Sequence, residues 1–196
     1  MPRLSRARPA VVFALAALLG AAGVGGAFGW QQWQRTRALP AHPLAEEIAI
    51  SQQLQPSAMP FVAERFAAVI DMRPDGESAG QPSAAEMAAA AGAQRLRFAY
   101  IPVPHGEIPE AAVTALSAQL AQAQAHGGGV LLYCRSGRRA ARTWSLAEAS
   151  RADGLGADAI LAAVKDSGQD ASDLRANIEH RVHARPARRP APGAAG

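Results

Sequence analysis

The chain is 196 residues long and carries a formal net charge of +4, a size that suits one packed domain with appendages. A sequence pI near 10.2 suggests a nucleic-acid binder, but the distribution of charge argues against it. Nine of the twenty Lys and Arg lie outside 46–180, and the stretch from Glu46 to His180 holds 11 basic residues against all 16 acidic ones. Four of those eleven, Arg135, Arg138, Arg139 and Arg142, cluster together, and a basic pocket in an acidic domain with little aromatic interleaving for base stacking favours a small anionic group over a polyanion.

In chain order, residues 1–9 form a basic segment containing Arg3, Arg6 and Arg8. Residues 10–30 are uncharged and rich in Ala, Leu, Val and Gly. A helix of that length spans about 30 Å, the thickness of a bilayer core, and predicts a transmembrane anchor. The run continues into bulky Trp30 without a small-x-small cleavage pattern, which favours an anchor over a cleaved signal peptide. Three arginines before the span and two after it, Arg35 and Arg37, place the domain of this single-pass membrane protein on the non-cytoplasmic side by the positive-inside rule. Residues 31–45, with Pro40 and Pro43, read as a linker.

The expected domain covers 46–181. A strand is predicted at Ile48–Ser51, and a helix from Ser57 to Phe66 with Pro60 in its first turn. A second strand falls at Ala67–Met72, and Arg73–Pro82 is a loop by composition. The pair Ser83 and Glu86 forms a capping box that opens an alanine-rich helix to about Gln94. Arg97–Val103 is a third strand. Pro109 begins a helix with Val113, Leu116 and Leu120 on one face, ended by His126-Gly127-Gly128-Gly129. The apolar run that leads into Cys134 is a fourth strand, followed by a helix to about Ala149 and shorter helices near Gly156–Asp166 and Asp170–His180. This alternation predicts an α/β fold with a mostly parallel central sheet flanked by helices, and ligands at the carboxyl ends of its strands. Residues 182–196 have no apolar face to bury and read as a disordered basic tail.

Cys134 is the chain's single cysteine, and Cys134-Arg135-Ser136-Gly137-Arg138-Arg139 follows the fourth strand directly. Gly137 allows a sharp backbone turn, and the helix beyond it opens with unpaired N–H groups. Such a cradle holds two negative charges, a thiolate and an incoming oxyanion. Arg135, Ser136, Gly137, Arg138 and Arg139 are the candidate anion-binding residues, with Arg139 as the clamp, because a guanidinium grips a tetrahedral oxyanion through two parallel hydrogen bonds. The competing reading is a buried structural cysteine beside a solvated arginine face. His42, His105, His126, His180 and His183 show no metal-site spacing, so neither a metal nor another cofactor is expected.

Ile48–Gln53, Val69–Glu77 with Gly80-Gln81-Pro82-Ser83, Tyr100–Val103, and Tyr133–Gly137 with Arg139 and Trp144 together resemble the phosphatase-like domain of the beta-lactamase hydrolase-like family, a branch of the protein-tyrosine-phosphatase-like fold. The resemblance implies Cys134 as nucleophile and Arg139 as phosphate clamp. It also implies a small phosphorylated substrate or a phosphoprotein as partner. Three departures stand against the wider fold group. Ala140 occupies the usual arginine position, so Arg139 comes one residue early. No hydroxyl follows that arginine. The general acid is open among His105, Glu107 and Asp75.

The loop is similar also to the Cys-Arg-x-Gly-x-Arg loop of rhodaneses, which implies an alternative: sulfur transfer from a sulfur oxyanion through a persulfide, with no general acid needed. A third alternative is a phosphate-binding module with little turnover.

Overall fold

The computed structural model describes residues 39–185, so the predicted membrane span at 10–30 and residues 186–196 lie outside the described residues. Five strands, β1 (Ala41–Ala45), β2 (Ile48–Ser51), β3 (Ala68–Asp71), β4 (Arg97–Tyr100) and β5 (Val130–Tyr133), form one sheet in the order β1-β2-β5-β3-β4. The pairs β2–β5, β5–β3 and β3–β4 are parallel, and β1–β2 is antiparallel. The sheet is thus mostly parallel. Its central strands β3 (AVID) and β5 (VLLY) are buried at every position, as strands covered on both faces must be.

Six α-helices cover those faces: α1 (Met59–Ala63), α2 (Ala84–Ala93), α3 (Glu110–His126), α4 (Arg138–Ser150), α5 (Ala157–Asp166) and α6 (Arg175–His183). Alternation along the strands decides which residues meet which helices. Ile50, Ile70 and Leu132 pack with Val113 and Leu116 of α3, Trp144 of α4, Ile160 of α5 and Ile178 of α6. Ala49, Val69 and Leu131 face the other way, onto Met59 and Val62 of α1 and Met87 and Ala91 of α2. The predicted capping box is present, with Ser83 Oγ accepting from Glu86 N and Glu86 accepting from Ser83 N.

Several boundaries differ from those expected, each for a local reason. β1 forms inside the segment read as linker. There Leu44 is buried and Pro43 sits on an edge strand, where the register shifts and a missing N–H is tolerated. The helix expected over Ser57–Phe66 divides into a 3-10 turn at Pro56–Ala58 and the short α1. β4 stops at Tyr100 because Pro102 has no N–H to donate, although Ile101 N and Val103 N still bond to the carbonyls of Asp71 and Met72. Packing also extends past residue 181. Val182 lies against the core, and Arg185 donates to the carbonyl oxygens of Glu148, Ala149, Gly154 and Leu155 at 2.7 to 2.9 Å. The folded unit therefore runs from β1 to Arg185, beyond the 46–181 that composition suggests. Among the described residues no helix is long and apolar enough to cross a membrane.

Candidate active site

β5 is the middle strand of the sheet, and Cys134 is the residue immediately after it. The side chain is 1% exposed and packs on the α3–α6 side of the sheet. The chain then turns through Arg135 and Ser136 to Gly137, which precedes α4 with φ +86°, in the left-handed region where glycine alone is unstrained. A β-carbon at Gly137 would also come within 3.3 Å of Ile50 Cδ1, so the conformation favours glycine and the packing leaves little room for a side chain. No side chain caps α4, and its first amide groups lack partners within the helix by geometry. Two neighbours hold the loop from outside, Gln53 N donating to Arg135 O at 3.3 Å and Gln169 Nε2 donating to Ser136 O at 3.1 Å.

The structure separates the four arginines of the loop and of the first turns of α4. Arg135 and Arg138 are exposed. Arg142 is engaged by Asp173 through a bidentate pair. Arg139 is the one directed inward, with its side chain 11% exposed. Its Nη1 donates to Glu77 Oε1 at 2.5 Å and to the Val103 carbonyl at 2.7 Å, and its Nη2 donates to Glu77 Oε2 at 2.7 Å. These bonds from Glu77 raise the Arg139 pKa, opposed by burial, and the nearby Cys134 sulfur raises it further. Behind Glu77 stands Arg73, whose Nε reaches Oε2 at 3.0 Å while Nη1 and Nη2 bond to Gln53 Oε1 and Ser78 Oγ. Glu77 belongs to the Val69–Glu77 motif, but its partner Arg139 is 62 residues away. The only available hint was the i,i+4 spacing of Arg73 and Glu77.

The three acid candidates are placed differently. His105 is 73% exposed, with Nε2 3.6 Å from Glu77 Oε1, which connects it to the Arg139 cluster. Asp75 is used structurally, its Oδ1 accepting from Ala84 N at the start of α2 while its own N–H donates to the Tyr100 hydroxyl. Glu107 is exposed and lines a cavity of about 200 Å³ with Arg142, Leu146, Leu174 and Arg181. Larger cavities of about 480 and 360 Å³ open at the amino-terminal edge of the sheet and between α3 and α4. Neither is lined by a cysteine, so chemistry and not volume places the site.

Two carboxylates near the loop are tuned in opposite directions. Asp71 is buried beside Tyr133, and burial raises its pKa against the bond from Arg73 N; burial and the Asp71 charge likewise push Tyr133 up. Glu77 is held down at about 2, from an ordinary 4.5, chiefly by the Arg139 hydrogen bond and then by Arg73, with burial opposing. A depressed folded-state pKa contributes stability that is fully present above pH 4.5 and is lost as the pH falls toward 2. In acid-unfolding curves the wild-type chain is expected to lose stability through this window more steeply than Glu77→Gln. Parallel curves would mean that the pair contributes nothing.

A doubly covered, mostly parallel sheet with a cysteine-containing loop between its central strand and a helix places the chain in the protein-tyrosine-phosphatase-like fold. A crystal structure of a candidate phosphatase from Neisseria meningitidis is similar over 72% of this chain and 98% of its own, with a TM-score of 0.61 and 26% identity. The structure of Tk-PTP in its active form superposes with a TM-score of 0.57, covering 75% of this chain and 98% of its own, at 17% identity. The family model for the phosphatase-like domain of beta-lactamase hydrolase-like protein matches residues 41–151, more than half of the chain, and the chain belongs to that family. The beta-lactamase hydrolase-like protein of Agrobacterium fabrum is 33% identical over 109 residues, 52% of this chain and 25% of that protein. The aligned region thus spans about a quarter of the curated relative's length.

Proposed function

We propose that this chain is a membrane-anchored, cysteine-dependent phosphatase that hydrolyses a phosphate monoester through a Cys134-phosphate intermediate. The observation that carries the reading is the joint placement of Cys134 at the end of the central strand, the uncapped start of α4 across Gly137, and the inward Arg139 guanidinium. Cys134 Sγ attacks phosphorus, and a P–S bond forms as the P–O bond to the alcohol breaks. Loop amides from 135 to 139 and Arg139 hold the equatorial oxygens as their charge develops. His105 is the acid best related to the clamp and protonates the departing oxygen. Water then cleaves the P–S bond, releasing inorganic phosphate and regenerating the thiolate. The cycle uses no metal or organic cofactor. The anchor at 10–30 holds the domain on the non-cytoplasmic face, where it meets a small phosphorylated molecule or a phosphoprotein.

Sulfur transfer is the second reading, favoured by one specific feature. Asp75 is committed to the start of α2, and neither Ala140 nor the two residues before it supplies a hydroxyl. A persulfide mechanism needs the nucleophile and the cationic cradle but no acid. Intact mass spectrometry of the chain after exposure to an aryl phosphate or to thiosulfate, with turnover assayed in parallel, separates the two. Phosphate release with a trapped adduct of about 80 Da supports the phosphatase. An adduct of about 32 Da with no phosphate release replaces that reading by sulfur transfer.

A further inference from the structure

At the end of the sheet opposite Cys134, an open cleft of about 540 Å³ lies by the first residues of β3, β4 and β5. Four basic side chains line it: Arg65 after α1, Arg95 and Arg97 around the start of β4, and His126 in the last turn of α3. No carboxylate does. Elsewhere in this acidic domain the cations are neutralised, with Arg73, Arg139, Arg142, Arg151 and Arg175 each paired to an aspartate or glutamate. Among the described residues, none of the three cleft guanidinia has an ion pair or donates a hydrogen bond, and Arg97 Nη2 is buried without a partner. A buried guanidinium N–H without an acceptor is costly unless a ligand supplies one.

Arg95 gives an independent sign that a side chain is used here. α2 ends in a Schellman turn, in which Leu96 N donates to the Ala91 carbonyl at 3.0 Å and Arg95 N to the Gly92 carbonyl at 2.9 Å. Arg95 holds the position that glycine usually fills, at φ +58°, and among the described residues no other residue with a side chain has a positive φ. A β-carbon is strained in that conformation, so the turn by itself favours glycine. Arg65 is steadied differently. Its guanidinium lies over the Phe66 ring, 5.4 Å from the centroid, a contact that fixes the charge and leaves its N–H groups free. The backbone N–H groups of Gly128 and Gly129, also on the lining, have no acceptor among the described residues. The C-terminal ends of α2 and α3 meet at this edge, and each contributes about half a negative charge, which three guanidinia exceed.

We propose that this cleft is a second anion site that binds a phosphate group, free or at the end of a larger molecule, through Arg65, Arg95 and Arg97. A carboxylate offers two oxygens in one plane, whereas donors from three separate chain segments suit the oxygens of a tetrahedral dianion. The site binds without turnover, because no cysteine, serine or carboxylate lines it. Gly129 precedes β5 and Cys134 follows it, so about 16 Å of strand separates the two sites. The assignment is independent of the reaction at Cys134.

Phenylglyoxal labelling of the full-length chain in neutral detergent, resolved residue by residue with peptide mass spectrometry, tests the site through Arg65 and Arg95, which are both exposed. Inorganic phosphate at about 10 mM is expected to slow labelling of both at least about fivefold relative to chloride at equal ionic strength, as a Kd of about 2 mM implies. Acetate under the same conditions is expected to slow it less than about twofold. A short-chain phosphatidate is the second probe. Protection at concentrations about tenfold below those of inorganic phosphate upholds the site with a lipid headgroup as its source, and equal protection upholds it with the phosphate group alone. Protection by neither probe overturns the proposal, and protection by acetate equal to that by phosphate overturns the choice of ligand. Arg95→Gly relieves the strained turn, so this variant is expected to melt at a higher temperature while phosphate protection of Arg65 falls below about twofold. Full protection of Arg65 in the folded variant would show that the arginines act singly and overturns the shared site.

Discussion

Cys134→Ser is expected to lower turnover of an aryl phosphate by at least about 10³-fold while leaving the melting temperature and the affinity for inorganic phosphate close to those of the wild type. The substitution exchanges sulfur for oxygen at a position that is 1% exposed, so it changes the nucleophile and almost nothing of the packing. A serine hydroxyl in this loop has no adjacent base to activate it, whereas sulfur is the intrinsically stronger nucleophile. Retained phosphate binding with lost turnover distinguishes an enzyme from a binding module, which would keep its whole effect. If the serine variant kept a tenth or more of the activity, no covalent Cys134 intermediate would lie on the pathway.

Arg139→Ala is expected to reduce kcat/KM by about 10² to 10³, the usual consequence of deleting one group that stabilises developing charge. The loss has two sources. The oxyanion seat disappears, and Glu77, which pairs with Arg139 at 2.5 and 2.7 Å, is left as a less compensated carboxylate near the sulfur. Arg139→Lys does not restore activity, because an ammonium cannot offer two parallel donors while holding Glu77 and Val103. Arg138→Ala should change kcat/KM by less than about threefold, since Arg138 is exposed to solvent at the start of α4. Equal losses at Arg138 and Arg139 would remove the clamp from Arg139.

What could be read in the sequence was mostly local. The Ser83–Glu86 capping box, the apolar run of β5 and the glycine at 137 each declare themselves within a few residues, because short-range hydrogen bonds and backbone sterics dictate them. Which of four neighbouring arginines turns inward depends on tertiary partners: the structure directs Arg139 to Glu77, assigns Arg142 to Asp173 and leaves Arg135 and Arg138 exposed. Tertiary features were not legible. β1 reads as linker because Pro43 opposes a strand locally, and it forms only because β2 offers an antiparallel edge. The Glu77–Arg139 pair joins the loop after β3 to the first turn of α4, 62 residues away, so no short window of sequence contains it. The same holds for the acid. Asp75, the outside candidate beside His105 and Glu107, has its carboxylate claimed by the start of α2, nine residues further on.

The contacts of Arg185 bear on where the molecule can be cut. Four backbone carbonyls around the end of α4 accept from this one side chain, and the opposite end of α4 carries Arg139 in its first turn. A minimal version of the domain trimmed at residue 181, as hydrophobic patterning would advise, discards that fastening from the helix that presents the clamp. The safe terminus for such a fragment falls after Arg185.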